Sequence, residues 1–283
     1  MKTTAILALF VATVGSFAAA ANGDLETALN IKYKDQILFL RHPAHSDSLK
    51  FNSAGELLTP AETGPWTVDG AIEIHELHLS PEKLTFQGAR FLYGFELQGK
   101  QIRPYKVKDK SRDKAVVEIA LEAPLSSVEQ ADALIDRIFA SHEADLISSA
   151  PQAWRYFLVR EYSKPELVNR AQAAAPSEPD DEKPFTPSKQ EMKKMKPPRP
   201  VYTPDPAYSP TAKMWNVRGT MVLSAIIDKT GSVRHLRIIR PLGFGLDEQA
   251  LNTVRTWKFA PATFDGAPVT VEMGIETNFD LQY

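Results

Sequence analysis

The most regular alternation of apolar and polar positions lies at the end of the chain. Across residues 269–281, Val269, Val271, Met273, Ile275, Thr277, Phe279 and Leu281 alternate with Thr270, Glu272, Gly274, Glu276, Asn278 and Asp280. That period of two predicts a long strand with one face turned inward. Upstream, residues 219–228 form an apolar run that reads as a buried strand. Asp228-Lys-Thr-Gly231 supplies a turn, and residues 233–240 return as a second strand. A helix is predicted from Gly245, where Asp247 and Glu248 oppose the positive end of the dipole. Leu246, Ala250, Val254 and Trp257 form its inward stripe, and Pro261 follows its end. Thirteen residues are more than a three-stranded module can pair on both sides, so an open edge is expected.

The pattern before residue 165 differs. Short strands are predicted at 37–40, 48–51, 84–86, 90–97 and 116–121, with a turn at 53–55. Residues 71–79 alternate, but keeping Leu77 and Leu79 inside requires a phase slip near His75, hence a bulge. One helix is strongly signalled, capped by Ser126 or Ser127 with Glu129 or Gln130 as reciprocal partner. Its stripe is Val128, Ala131, Leu134, Ile135, Ile138 and Phe139. A weaker helical segment covers 154–158. The fold class expected is α+β: a mainly-β N-terminal domain with a packed helix, at 24–165, then a C-terminal domain at 204–283.

Composition changes the picture at two places. Between Pro165 and Pro210 lie 11 of the 21 prolines, with an acidic block at 178–182 and a basic one at 189–199. Such a segment reads as a semi-rigid linker, 166–203, holding two separate domains apart. At the other end, Met1-Lys2, an apolar centre and small residues to Ala21 read as a secretory signal, cleaved after Ala20 or Ala21. Retained, the same 1–21 segment would be an anchor, and membrane contact is expected only then. There is no cysteine, which excludes thiol and Cys-zinc chemistry and disulfide bracing. A formal charge of −2 and a pI near 6.3 give no basic field for nucleic acid.

The C-terminal pattern also carries a family resemblance. Tyr208 with Ala212-Lys213, Gly219-Thr-Met-Val-Leu, Ile227-Asp-Lys-Thr-Gly231, Arg240-Pro-Leu-Gly-Phe-Gly-Leu-Asp247, Trp257-Lys-Phe with Pro261, and Asp265-Gly with Pro268-Val resemble the C-terminal domain of the TonB energy-transducer family. The resemblance spans residues 204–281. It implies helix, two-strand hairpin, helix and strand in an antiparallel sheet, a periplasmic location, and docking of an extended peptide by strand addition. The docking strand it implies carries Val269, Val271, Met273, Ile275 and Thr277, with Tyr208 in the adjacent segment. The implied partner is the peptide box of an outer-membrane receptor or another envelope protein, and the implied role is outer-membrane transport. Two alternatives stay open. One is an anchored transducer coupling an inner-membrane motor to outer-membrane receptors; the other is an envelope-binding adaptor with no transport role. The family's anchoring Ser-x-x-x-His pattern is missing from the first 21 residues, and Tyr208-Ser209 stands where the family has Tyr-Pro.

Enzyme signatures are weak. His75 and His78 are three apart in a predicted strand, where a zinc-protease signature needs i, i+4 on a helix. Arg41-His42 matches only the first two residues of a histidine-phosphatase signature. Gly243-Phe-Gly245 lacks the third glycine of a dinucleotide loop. His142 is expected in a solvated turn after the helix, and Trp66 in the core. No catalytic residue, metal or cofactor is expected.

Overall fold

The computed structural model describes residues 12–112, 114–162 and 183–281. Among the described residues the helices are α1 (Ala12–Tyr33), α2 (Val128–Ile138), α3 (Gln152–Tyr162), α4 (Pro210–Met214) and α5 (Leu246–Val254). Seven strands precede residue 163: β1 (Ile37–Leu40), β2 (Ser48–Phe51), β3 (Ala71–Leu79), β4 (Lys83–Gln98), β5 (Gln101–Lys108), β6 (Ala115–Ala120) and β7 (Phe139–Ala140). Eight follow: β8 (Met195–Lys196), β9 (Arg199–Tyr202), β10 (Gly219–Ile227), β11 (Val233–Arg240), β12 (Lys258–Ala260), β13 (Ala262–Phe264), β14 (Ala267–Val269) and β15 (Val271–Phe279). The fold is α+β.

The first seven strands form one sheet in the order β2-β6-β4-β3-β1-β7, with β5 also on β4. Two strands expected at 84–86 and 90–97 are the single strand β4, sixteen residues long. Its first half pairs with β6 and its second with β5. The slip expected at His75 is present: the β3–β4 register shifts between Ile74 and Glu76. Ile72, Ile74 and Leu77 are thereby all buried, while His75 and Glu76 face solvent. α2 begins on Ser127, whose hydroxyl accepts the Gln130 N–H at 3.3 Å.

α1 was not expected beyond residue 24, although Leu25, Leu29 and Tyr33 make a helical stripe, and all three are buried against β3 and α2. The helix covers the part of β3 that β1 does not reach. Asn30 acts there as a strand surrogate, donating Nδ2 to the Leu77 carbonyl at 2.6 Å and accepting the Leu77 N–H at 2.9 Å. Glu26 accepts the Leu79 N–H at 2.7 Å. Residues 1–11 of the expected signal lie outside the described residues. α1 runs unbroken from Ala12 through Ala20 and Ala21. Among the described residues, no helix is long and apolar enough to cross a membrane.

The expectation of two domains held apart by a tether is corrected. Residues 163–182 lie outside the described residues, but 195–202 pair with the C-terminal module, β8 on β13 and β9 on β12. The two halves also share one apolar core. Trp66, Tyr93, Phe95, Trp154 and Phe157 of the first half pack with Leu223, Ile238, Phe244, Leu246 and Ile275 of the second. Ring pairs run through it: Trp66 on Trp154 at 5.2 Å, and Phe95 on Phe157 at 5.3 Å, both edge-on. Such aromatic contacts add about 0.5–1.5 kcal/mol each beyond area burial.

Backbone joins the halves too. The Phe95 N–H donates to the Leu242 carbonyl and the Phe244 N–H to the Tyr93 carbonyl, both at 3.0 Å, with Gly94 opposite Gly243. Gly243 has φ +82°, and a Cβ there would stand 2.1 Å from the Tyr93 oxygen. A side chain at either glycine is excluded by sterics, since a Cβ on Gly94 would meet the Tyr105 and Phe244 rings. Gly243→Ala should therefore destabilise the protein by about 2 kcal/mol or more, measured by urea unfolding. Unchanged stability would show that the halves do not depend on this bridge.

Candidate functional site

The C-terminal sheet has the order β11-β10-β15. Its centre, β10, buries Met221, Leu223, Ala225 and Ile227 toward α5 and leaves Thr220, Val222, Ser224 and Ile226 half-buried on the other face. All nine residues of β15 pair with β10, from Gly219 opposite Phe279 to Ile227 opposite Val271. Among the described residues, nothing pairs with the other edge of β15.

The remaining long edges are closed or guarded. The outer side of β11 is covered by α3: Arg160 donates from Nη2 to the Ile239 carbonyl at 2.8 Å, and Arg237 lies over the Tyr156 ring at 5.8 Å. β5 carries Pro104, Lys106 and Lys108, residues that discourage strand pairing. β2 and β7 are short, and β3 is capped by α1. β15 has no proline and no lysine, its charged side chains are Glu272 and Glu276, and its outer backbone N–H and C=O groups form an open row.

The residues expected at the docking strand are placed as follows. Val271, Ile275 and Thr277 are buried on the inward face of β15, and Met273 is half-buried there. Val269 is not on this strand. The run expected from Val269 divides at Thr270, whose carbonyl accepts the Phe185 N–H at 2.8 Å, and Val269 ends β14 against Ala262. Tyr208 lies beside the far end of β15, its ring edge-on to Phe279 at 5.4 Å. Ser209 after it caps α4, accepting the Ala212 N–H at 3.0 Å and donating to the Phe244 carbonyl at 2.5 Å. Ser209 thus ties α4 to the 242–244 loop.

Behind β10, the helix α5 brings two carboxylates into the core. Asp247 accepts the N–H groups of Leu242 and Gly243 at 2.9 and 2.7 Å, which shapes the loop that docks on β4. Glu248 accepts the Trp154 indole N–H at 2.9 Å, and its second oxygen is buried with no hydrogen-bond partner among the described residues. Burial, then the Glu248 charge, push the Asp247 carboxyl well above its usual range against those two backbone donors. Burial likewise pushes Glu248 up from 4.5, opposed by the Trp154 hydrogen bond.

Among the described residues, the first half holds a buried ionic cluster. Asp69 lies 2.5 Å from Arg112 and 3.2 Å from His45, while the buried Arg90 donates to the carbonyls of Asp69 and Ser46. Burial, then the Arg112 charge, lower the Arg90 guanidinium to about 10. The cluster ties the 43–47 and 64–70 loops to β4, and sequence reasoning missed it because its members are scattered over 67 positions. His75 faces Glu73 at 3.2 Å and His78 faces Glu76 at 3.3 Å on the solvent side of β3. His142 opens the turn after α2, with its N–H on Asp145, and Trp66 is in the core.

Residues 204–281 match the model of the family described as Gram-negative bacterial TonB protein C-terminal. Protein TonB of Vibrio cholerae serotype O1 (strain ATCC 39315 / El Tor Inaba N16961) is 30% identical over 78 residues, 27% of this chain. The chain spans 32% of the length of that relative. The solution NMR structure of Pseudomonas aeruginosa TonB CTD aligns with 32% of this chain and 89% of its own, at 16% identity and a TM-score of 0.27.

The acid pair gives a pH dependence with a definite sign. A carboxyl raised on folding contributes its stability in full below its unfolded value and loses it as pH rises through the folded one. Wild-type stability should therefore fall as pH rises above about 4.5. Glu248→Gln keeps an oxygen for the Trp154 N–H, and should be more stable than wild type at pH 7 to 8 and show a shallower fall, checked by thermal unfolding across pH.

Proposed function

We propose that the C-terminal module docks an extended peptide segment of an outer-membrane receptor or other envelope protein by adding it to β15. The protein is read as an exported periplasmic one, acting by binding and not by catalysis, and serving outer-membrane transport. The single observation that carries the docking is the edge itself: a nine-residue strand, paired on one side along its full length, in a fold that closes or guards its other long edges. Strand addition draws affinity from backbone hydrogen bonds and selectivity from alternate side chains. The match of residues 204–281 to the TonB C-terminal model supports the same reading.

The shared core bears on the anchored-transducer alternative. A spacer that lets the module reach away needs the halves to separate, and that would expose Trp154, Phe157, Phe244 and Leu246 together. The fully packed arrangement suits an adaptor that presents β15 from a rigid body. Retention of Met1 to Ala21 in the intact mass of the envelope-derived protein would favour the anchored alternative instead.

Docking is tested from the ligand side, which leaves the protein fold untouched. An eight-residue extended peptide that binds should lose at least tenfold in affinity when N-methylated at alternate residues on one edge, and little when methylated on the other. Equal loss on both edges, or no protection of β15 amides from hydrogen exchange on binding, would sink strand addition.

A further inference from the structure

On the solvent face of the C-terminal sheet, the charges are sorted by strand. β11 carries Arg234, Arg237 and Arg240; in register with them, β10 carries Ile226, Ser224 and Val222, all uncharged. The next row, on β15, is Glu272, Gly274 and Glu276 opposite those same β10 residues, with Asn278 opposite Thr220. Asp280 follows just past the strand, 3.6 Å from Arg218. The face therefore runs from a basic row through a neutral one to an acidic row at the open edge.

The carboxylates of that row are not equally engaged. Glu272 turns back across the sheet, accepting the Ser224 hydroxyl and lying 3.7 Å from Arg237. Glu276, at the middle of the outward row, is exposed and has no ion-pair or hydrogen-bond partner among the described residues. Thr277, beside it on the inward face, is 3% exposed, and its hydroxyl also lacks a partner among the described residues. The edge strand thus holds an unmet anion on one face and an unmet hydroxyl on the other, while its backbone edge is open between them.

We infer that the segment added to β15 is basic on its solvent face: an extended peptide with lysine or arginine opposite Glu276 and at the alternate positions flanking it, and uncharged residues between. The inference rests on the docking reading above and specifies its ligand. A cation directly opposite Glu276 makes the cross-strand ion pair that β15 cannot make with β10, where Val222 stands. A carboxylate there would face Glu276 across less than a side chain's length, with Glu272 and Asp280 on either side. Complementarity of this kind selects between partners more than it adds affinity. The neutral positions turn inward beside Met273, Ile275 and Thr277, where a charge would be buried.

The test uses the full chain and two octapeptides, Thr-Val-Lys-Val-Lys-Val-Lys-Thr and its counterpart with glutamate for each lysine, followed by fluorescence anisotropy at low and physiological salt. The lysine peptide should bind about tenfold more tightly, the gap narrowing with salt. Glu276→Lys, at an exposed position that leaves the fold intact by circular dichroism, should remove or reverse the preference. Equal binding of the two peptides would overturn the basic assignment and leave strand docking standing. A lysine preference that survives Glu276→Lys would place the recognition elsewhere and also overturn it. Binding of neither peptide would sink docking and the basic ligand together, as would a peptide-free dimer in sedimentation with β15 amides protected by a second copy.

Discussion

Two backbones meet without side chains between them where Gly94 lies opposite Gly243, and the architecture follows from that approach. Residues 93–95 belong to the long strand β4, residues 242–244 to the loop that leaves β11 and opens α5. Their paired hydrogen bonds carry the first sheet onto the second module. Asp247 sets the loop from below through the Leu242 and Gly243 N–H groups, and Ser209 holds Phe244 from the side. With the loop fixed, Trp154 of α3 reaches Glu248 of α5 and the aromatic rings of both halves close into one core. The burial of two carboxylates at this point opposes folding at neutral pH. That it persists reflects how much the aromatic packing around them contributes.

The same docking decides which edges of the C-terminal sheet remain. A three-stranded sheet has two edges, and each is a pairing template unless something covers it. α3 arrives against β11 because the shared core positions it there, so the first half closes one edge by the act of joining. The other edge, β15, pairs only with β10 among the described residues. In the first half, each comparable edge is met differently: α1 presents Asn30 and Glu26 to β3, and β5 carries Pro104 and lysines. Among the described residues, an edge left bare amid such closure is a directional feature of the fold.

How much of this the sequence shows depends on the range of the interaction. Local signals were sufficient for the hairpin, for α2 and its Ser127 cap, for α5, and for the bulge at His75, because period, caps and turn residues act within a few positions. The division of the last strand at Thr270 was hidden: its alternation continues unbroken, and what ends it is a hydrogen bond from Phe185, 85 residues upstream. Proline content marked 166–203 as linker, yet Met195 and Tyr202 lie in short strands, where edge positions tolerate Pro200. α1 had a readable Leu25, Leu29, Tyr33 stripe that was masked by the signal-like run before it. The joined core could not be read at all, since Trp154 and Glu248 are ordinary residues in their own helices. At the candidate site, the inward and outward faces of β15 were legible; that one edge is covered by a helix from the other half was not.

A shared core alters what a load on β15 would do. If the module hung from a free tether, a pull on a docked strand would be taken up by the linker, and the first half would serve only as an end weight. Here β10 links β15 to β11, β11 rests on α3, and the 242–244 loop is paired to β4, so a displacement of β15 is passed through packed and hydrogen-bonded contacts to the seven-stranded sheet. Packed cores resist such displacement, because small shifts forfeit contacts on every side. β15 is thereby held against both halves at once. The same packing that makes the protein a poor extensible rod fixes the β15 backbone and its outward carboxylate row in place.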